Sequence, residues 1–275
     1  MSPPRQGRNR VARPIKGSLV VVGTGIQLGR HVSERAVSEI KLADKVFCMV
    51  DAFTYRWVES LRPDVQPLHI YYDEGKDRRR TYEEMEADIV DAVHAGHDVC
   101  AIFYGHPGVF AQVPHAAIAR LRKEGYPARM EPGISAEDCL IADLGLDPGN
   151  RGCLSMETTQ FLIFDRQLDP TVMLILWQVG LTGDLSCRRF DTTPEKLRIL
   201  VDKLYRWYEP DTPVIIYEAP VLPVQKPRAD RTSLKDLPGQ TLDQISTLVI
   251  PPTGSLQPDE QALEALGYGP EDLTS

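Results

Sequence analysis

Hydrophobic and polar positions along the chain follow two periods. Ser18-Leu-Val-Val-Val-Gly23 is too continuously apolar for a strand with one wet face, and it suits a buried parallel strand that ends in glycine. Lys45–Val50 and Val99–Tyr104 repeat that pattern, and His31–Leu42 has the helical period between the first two. Strands separated by helical stretches predict βαβ units, and therefore an α/β fold.

Punctuation between these runs supplies the rest. Thr81-Tyr-Glu-Glu84 has the spacing of a capping box and predicts a helix starting at Thr81, with Met85, Ile89, Ala92 and Val93 on its apolar face and Gly96 as terminator. Helices are also predicted over Pro114–Lys123 and Ser135–Leu144, with Arg129–Glu131 leading into Pro132-Gly133 between them. The Gly/Pro/Asn-rich stretch Gly145–Gly152 predicts an interdomain boundary. Beyond it lie expected strands at Val172–Val179, Val214–Glu218 and Ser246–Ile250, and a helix at Pro194–Tyr208 with Leu197, Leu200, Val201 and Leu204 on one side. The expected organisation is a basic tail over residues 1–16, a domain over 17–145, a second over 146–252 and an acidic tail over 253–275.

Composition narrows the class. With 42% hydrophobic and 25% charged residues the chain is of globular type. Its 31 basic and 39 acidic residues give a net charge of −8, which disfavours a duplex-DNA binder that works by neutralising phosphates. Arg5, Arg8, Arg10, Arg13 and Lys16 at one end, and Asp259, Glu260, Glu264, Glu271 and Asp272 at the other, read as solvated tails. Cys48, Cys100, Cys139, Cys153 and Cys187 form no CxxC pair and mostly lie in apolar runs, as reduced thiols in a cytosolic protein would. No apolar stretch approaches the ~18 residues of a membrane span, and no apolar targeting segment follows the basic N-terminus, so a cytoplasmic protein is expected.

Four segments carry candidate chemistry. Gly23-Thr-Gly25-Ile-Gln-Leu-Gly29 follows a strand and suits either a ligand cradle or a bare tight turn; its spacing misses the dinucleotide fingerprint, although Asp51 stands where a ribose-binding acid would. Tyr104-Gly105-His106-Pro107-Gly108-Val109-Phe110 is a rigid loop at the strand end where open α/β sheets bind ligands, and His106 has no second ligand at metal-binding spacing. Ser135 stands at a helix N-terminus, able to hold a ligand hydroxyl or carboxylate or to cap its own helix. His69–Tyr82 gathers a histidine, three tyrosines (Tyr71, Tyr72, Tyr82) and three arginines (Arg78, Arg79, Arg80) around a glycine; phenols beside guanidinium groups suit proton handling and the stabilisation of developing negative charge.

In this order these segments resemble the tetrapyrrole methylase superfamily, and within it the borosin peptide backbone α-N-methyltransferases. The resemblance is carried by GSLVVVGTGIQ (Gly17–Gln27), YYDEGKDRRRTY (Tyr71–Tyr82), FYGHPGVF (Phe103–Phe110), MEPGISAEDCLIADLGLDPGNRGC (Met130–Cys153), LWQVG (Leu176–Gly180), VIIYEAP (Val214–Pro220) and STLVIPP (Ser246–Pro252). It implies two αβα domains with S-adenosylmethionine in the cleft between them and S-adenosylhomocysteine as product. It also implies Tyr72, Arg78 and Tyr82 as catalytic residues, and Tyr104, Gly105, His106, Val109, Phe110, Ser135, Ala136, Gln178 and Ala219 as donor contacts. His69 stands where the fused fungal enzymes place a further tyrosine, and His106 where many tetrapyrrole enzymes have an acid. The acidic residues after Pro252 contain no apolar core-like run, which resembles the split, bacterial-type arrangement. That arrangement implies a separate precursor peptide methylated in trans, iteratively, by a homodimer that forms a heterotetramer with two peptides.

An amide nitrogen is a poor nucleophile because its lone pair is delocalised into the carbonyl. Methyl transfer to it needs proton loss or strong hydrogen bonding at nitrogen together with stabilisation of imidate-like charge on oxygen. The expected division of labour gives the N–H to Tyr72, the developing oxyanion to Arg78 and orientation to Tyr82. The competing expectations are a C-methyltransferase acting on a tetrapyrrole, with arginines facing its propionates, and a non-catalytic peptide-binding protein of the same fold. A plain NAD-binding domain is a weaker fit.

Overall fold

A computed structural model describes residues 16–73, 75–186 and 191–273 of the 275-residue chain. The basic run from Arg5 to Arg13 and Cys187 lie outside the described residues. The chain separates into two compact units, one comprising Met1–Cys139 with Pro220–Lys226, the other Leu140–Ala219 with Pro227–Ser275.

The first unit contains β1 (Ser18–Gly23), α1 (Glu34–Leu42), β2 (Lys45–Met49), α2 (Ala52–Leu61), β3 (Gln66–Pro67), α3 (Arg78–His94), β4 (Asp98–Phe103), α4 (Gln112–Lys123), β5 (Ala128–Met130) and the start of α5 (Ala136–Leu144). Its strands form a five-stranded parallel sheet among the described residues, ordered β3-β2-β4-β1-β5. The apolar runs are continuous because both faces are covered. Val20, Val22, Cys48, Cys100 and Ile102 pack under α1 and α2, while Leu19, Val21, Phe47, Ala101 and Phe103 pack under α3 and α4. This is the doubly covered sheet the sequence pattern predicts.

Two local expectations are corrected in this unit. Helix α3 begins at Arg78, three residues before Thr81, because the Asp77 carboxylate caps it by accepting from Arg79 N at 2.9 Å. Thr81 is buried inside the helix and its hydroxyl donates to Tyr71 O at 3.3 Å; Glu84 pairs with Lys76 and Arg80 instead of reaching back to a cap. Asp51 is the N-cap of α2, accepting from Phe53 N at 2.9 Å, Thr54 N at 3.1 Å and the Thr54 hydroxyl at 2.5 Å, so its carboxylate is committed to the helix. The Gly145–Gly152 stretch is partly ordered as a short helix, α6 (Pro148–Arg151), with Asp147 as its cap.

The second unit continues with β6 (Cys153–Glu157), α7 (Thr158–Ile163), β7 (Met173–Trp177), α8 (Pro194–Leu204), β8 (Pro213–Glu218), β9 (Arg228–Ser233), β10 (Thr247–Ile250) and α9 (Glu260–Leu266). Its five-stranded sheet is mixed, ordered β6-β7-β10-β8-β9: β6 and β7 are parallel and the remaining pairs antiparallel. Leu174, Leu176, Val214, Ile216, Leu248 and Ile250 pack with Phe161 of α7 and with Leu197, Leu200, Val201 and Leu204 of α8. On the opposite face the Tyr217 hydroxyl donates to the Asp143 carboxylate of α5 at 2.8 Å. Helix α8 ends at Leu204, four residues short of the predicted Tyr208. No helix among the described residues is long and apolar enough to cross a membrane.

Tight backbone contact holds the second unit at Gly180, where an added Cβ would lie 1.9 Å from Asp243 O. Gly180→Ala is expected to lower stability by about 2–3 kcal/mol. Gly145→Ala, at φ 65° with nothing within 4 Å, should cost only about 1 kcal/mol. Equal midpoints of the two variants in denaturant titrations would contradict this account of Gly180.

Candidate active site

In the first sheet β1 and β4 are neighbours, but α1, which follows β1, and α4, which follows β4, cover opposite faces. Their C-terminal ends therefore open a crevice at a topological switch point, the usual ligand position in such sheets. Two glycine turns clasp each other there. Gly25 N donates to Gly105 O at 3.2 Å and Gly105 N donates to Gly25 O at 2.9 Å. A Cβ on Gly23 would lie 2.2 Å from Gly105 O and 2.8 Å from Pro107 Cδ, so glycine is required by the clasp itself. Of the two readings of Gly23–Gly29, backbone packing accounts for the glycines at 23 and 25.

The loop from Tyr104 to Phe110 is held from within. Gly108 N donates to His106 Nδ1 at 3.0 Å, and the His115 ring nitrogen meets Gly108 O at 2.9 Å. Tyr104, Val109 and Phe110 are 63%, 40% and 56% exposed, an unusual density of open apolar surface for a loop on a sheet edge. The Pro132–Ser135 turn packs on the same loop, since a Cβ on Gly133 would lie 3.0 Å from Gly105 O. Ser135 caps α5: its hydroxyl accepts from Asp138 N at 3.2 Å and donates to the Asp138 carboxylate at 2.7 Å. Ala136 is the first residue of that helix. The structure thus gathers Tyr104, Gly105, His106, Val109, Phe110, Ser135 and Ala136 at one edge of the first sheet.

Gln178 and Ala219 belong to the second unit, directly after β7 and β8. Gln178 has φ 57° and ψ 40°, and Phe110 has φ 51°; they are the non-glycine residues with positive φ among the described residues. Left-handed backbone at a bulky residue costs of order 1–2 kcal/mol and clusters at functional sites. The left-handed backbone at these two positions makes each a candidate ligand position in its own unit.

The tyrosine–arginine segment leaves the sheet through a short 3-10 turn, His69–Tyr71, after β3. Tyr72 follows, then a turn at Gly75 with φ 72°, and Arg78 opens α3 with Tyr82 one helical turn later on the same side. The Arg78 guanidinium carbon lies 4.2 Å from the Tyr72 ring centroid. Arg79 and Arg80 instead face the carboxylates of Asp77 and Glu84. Burial pushes the Tyr72 phenol up to about 12, the neighbouring Tyr82 adds to this, and Arg78 pulls against it. Burial wins, so the Tyr72 phenol holds its proton more firmly than an ordinary tyrosine.

Sequence reasoning gave Tyr71, Thr81 and Glu84 other roles and passed over Lys76 and Asp88, which with them hold this loop. Tyr71 O accepts from Lys76 Nζ at 2.9 Å and from the Thr81 hydroxyl at 3.3 Å, while the Tyr71 hydroxyl donates to Asp88. Thr81, Glu84 and Asp88 follow at helical spacing, and that i, i+3, i+7 pattern of polar residues was the available signal. His69 is exposed and meets Tyr55 edge-on at 5.8 Å between ring centroids.

With this geometry in place, comparisons identify relatives. The family of tetrapyrrole (corrin/porphyrin) methylases matches residues 18–234. A "methyltransferase/ribosomally synthesized cyclic peptide dendrothelin A precursor" of Dendrothele bispora is 43% identical over 243 residues, 86% of this chain and 58% of that protein. A "methyltransferase/ribosomally synthesized type I borosin cyclic peptide precursor" of Serendipita vermifera subsp. bescii is 40% identical over 265 residues, 94% of this chain and 64% of that protein. The chain therefore spans about three fifths of the length of such relatives. Among solved structures, uroporphyrin-III-C-methyltransferase from Thermus thermophilus superposes with a TM-score of 0.60 at 20% identity, covering 86% of this chain and 92% of that one, a likeness of fold.

Ultraviolet difference titration of the wild type against Tyr72→Phe is expected to place the missing ionisation near 12. Arg78→Met should move it higher still, because the opposing cation is gone. A Tyr72 midpoint at the ordinary phenol value of about 10 would show that burial does not govern the group.

Proposed function

The chain belongs to the tetrapyrrole (corrin/porphyrin) methylase family, whose members use S-adenosylmethionine as methyl donor, and from that premise we propose that it N-methylates backbone amides of a precursor peptide supplied in trans. The observation that carries this reading is the Arg78 guanidinium stacked 4.2 Å from the Tyr72 ring, with Tyr82 beside the same phenol. Relatives whose names join a methyltransferase to a ribosomal peptide precursor support the choice of substrate class.

The residues account for the difficulty of the reaction. Bound S-adenosylmethionine supplies an electrophilic methyl group on a sulfonium, and Tyr104, Gly105, His106, Val109, Phe110, Ser135, Ala136, Gln178 and Ala219 are the residues assigned to hold it. Tyr72, in its ionised form, takes the amide proton, and the nitrogen lone pair forms the new N–C bond as the S–C bond breaks. Arg78 opposes the negative charge that gathers on the carbonyl oxygen. It also favours the ionised form of Tyr72, so one cation serves both ends of the amide. Tyr82 orients the Tyr72 hydroxyl. Arg79 and Arg80 face acids of their own segment, which leaves Arg78 of the three arginines on which the tetrapyrrole reading drew.

The test mixes the 275-residue chain with S-adenosylmethionine and a co-expressed precursor-type peptide, followed by intact mass and tandem fragmentation. Successive increments of one methylene, located on backbone nitrogens, are expected, and native mass spectrometry of the mixture reports whether two chains carry two peptides. Tyr72→Phe and Arg78→Lys should each cut the single-turnover rate by about 10²–10³ with donor affinity retained. In the wild type, kcat/KM should rise about tenfold per pH unit through the neutral range, since the free protein's Tyr72 ionises only near 12. Near-normal rates in both variants, or a flat pH profile, would overturn the assignment. Peptide binding without any mass gain would point to the non-catalytic reading.

A further inference from the structure

We propose that Asp88 is a positioning residue for methyl transfer: through Tyr71 it fixes where the tyrosine loop lies along α3, and so holds Tyr72 against Arg78. The inference rests on the catalytic reading of Tyr72 and Arg78 above, and its test includes a readout that needs no methylated peptide.

The peptide plane that joins Tyr71 to Tyr72 is engaged on both sides. Tyr71 O accepts from Lys76 Nζ at 2.9 Å and from the Thr81 hydroxyl at 3.3 Å, while Tyr72 N donates to His69 O at 3.1 Å. The unit is planar, so it cannot rotate without breaking a bond on one side or the other, and the Tyr72 Cα leaves it in a set direction. Of these partners Thr81 alone belongs to α3, and a single attachment to a helix leaves a pivot. The Tyr71 side chain supplies the distant anchor: its hydroxyl donates to the Asp88 carboxylate, two helical turns and about 10 Å beyond Thr81. Lys76 also pairs with Glu84, which lies between the two anchors in sequence.

A directional bond is needed because the remaining contacts are not directional. Tyr71, Tyr72 and Tyr82 all pack against the core that includes Met85 and Ile89 of α3, and apolar packing alone tolerates sliding. A phenol donating to a carboxylate is a charge-assisted bond, among the stronger ones available to a neutral side chain. That bond, with burial behind it, pushes the Tyr71 phenol up to about 12, which keeps Tyr71 the donor. The adjacent phenols are thus divided in role: Tyr71 is tethered to Asp88, and Tyr72 is left to the Arg78 guanidinium 4.2 Å from its ring centroid. Asp88 stands ten residues along α3 from Arg78, about 15 Å, so its influence on the reaction passes through Tyr71.

The test compares Asp88→Ala, Tyr71→Phe and Asp88→Asn in the full chain, with melting curves to check folding and calorimetry of S-adenosylhomocysteine to check donor binding. Hydrogen exchange at the Tyr72 amide is expected to accelerate about tenfold in Asp88→Ala and Tyr71→Phe. It should stay near the wild-type rate in Asp88→Asn, whose side-chain oxygen still accepts from Tyr71. In single turnover with a precursor-type peptide, the first two variants should lose about tenfold in rate at saturating donor with donor affinity unchanged, and Asp88→Asn should keep most of the rate. In a Tyr72→Phe background Asp88→Ala should add little further loss, because the group it places is gone. Wild-type exchange in a cooperatively melting Asp88→Ala protein would overturn the proposal, as would rate losses that add in full to those of Tyr72→Phe. Accelerated exchange with an unchanged rate would reduce Asp88 to a structural anchor and overturn its part in the reaction. Should Asp88→Ala fail to fold, Tyr71→Phe, which removes one oxygen, decides by the same readouts. A wild type that binds S-adenosylhomocysteine yet methylates no peptide would sink the catalytic reading and with it the reaction role of Asp88, while accelerated exchange would still support its hold on the loop.

Discussion

The candidate site of the first unit depends on a constraint of space: two main-chain turns approach until they exchange hydrogen bonds, and no side chain fits between them. The reciprocal bonds of Gly25 and Gly105 weld the end of β1 to the end of β4. Because the helices after these strands leave on opposite faces, the weld sits where the sheet offers its crevice. Tyr104, Val109 and Phe110 can remain exposed there without the loop collapsing onto the sheet, since its conformation is set by backbone bonds and by the His106 ring accepting from Gly108 N. Rigidity of this kind reduces the ordering cost of binding a small molecule.

Opposing electrostatic effects meet at Tyr72. Burial disfavours the phenolate, Tyr82 reinforces this, and Arg78 at 4.2 Å resists it without prevailing. Tyr71, clamped at its carbonyl by Lys76 and Thr81, keeps the preceding backbone fixed while that balance is held.

Much of the fold was legible because burial writes itself into composition. β1, β4, β7, β8 and β10 are runs covered on both faces, and only such cover lets apolar residues continue without alternation. β9, Arg228–Ser233, carries polar residues on an edge and exists through its pairing with β8, which nothing local announces. α3 shows the limit of cap reading: Asp77 and Thr81 are both competent caps, and a tertiary partner, Tyr71 O, claims the threonine. Of the candidate site, the one-turn spacing of Arg78 and Tyr82 could be read directly, whereas the stacking of Arg78 on Tyr72 needs a loop path that spacing does not define. The left-handed turns at Phe110 and Gln178 were hidden for another reason, since neither position carries the glycine that normally marks such backbone.

The partition of the chain bears on how the molecule is made. Pro220–Lys226 clusters with the first unit, although all of Leu140–Ala219 intervenes in sequence. As the polypeptide leaves the ribosome, the N-terminal sheet can assemble early, but the last segment of the first unit arrives only after β6, β7, α8 and β8 have been synthesised. β9 and β10 come later still, and without β10 the strands β7 and β8 have no partner between them. Completion of either unit therefore waits on residues beyond the other's main body, and biogenesis is interleaved instead of running strictly from one end to the other.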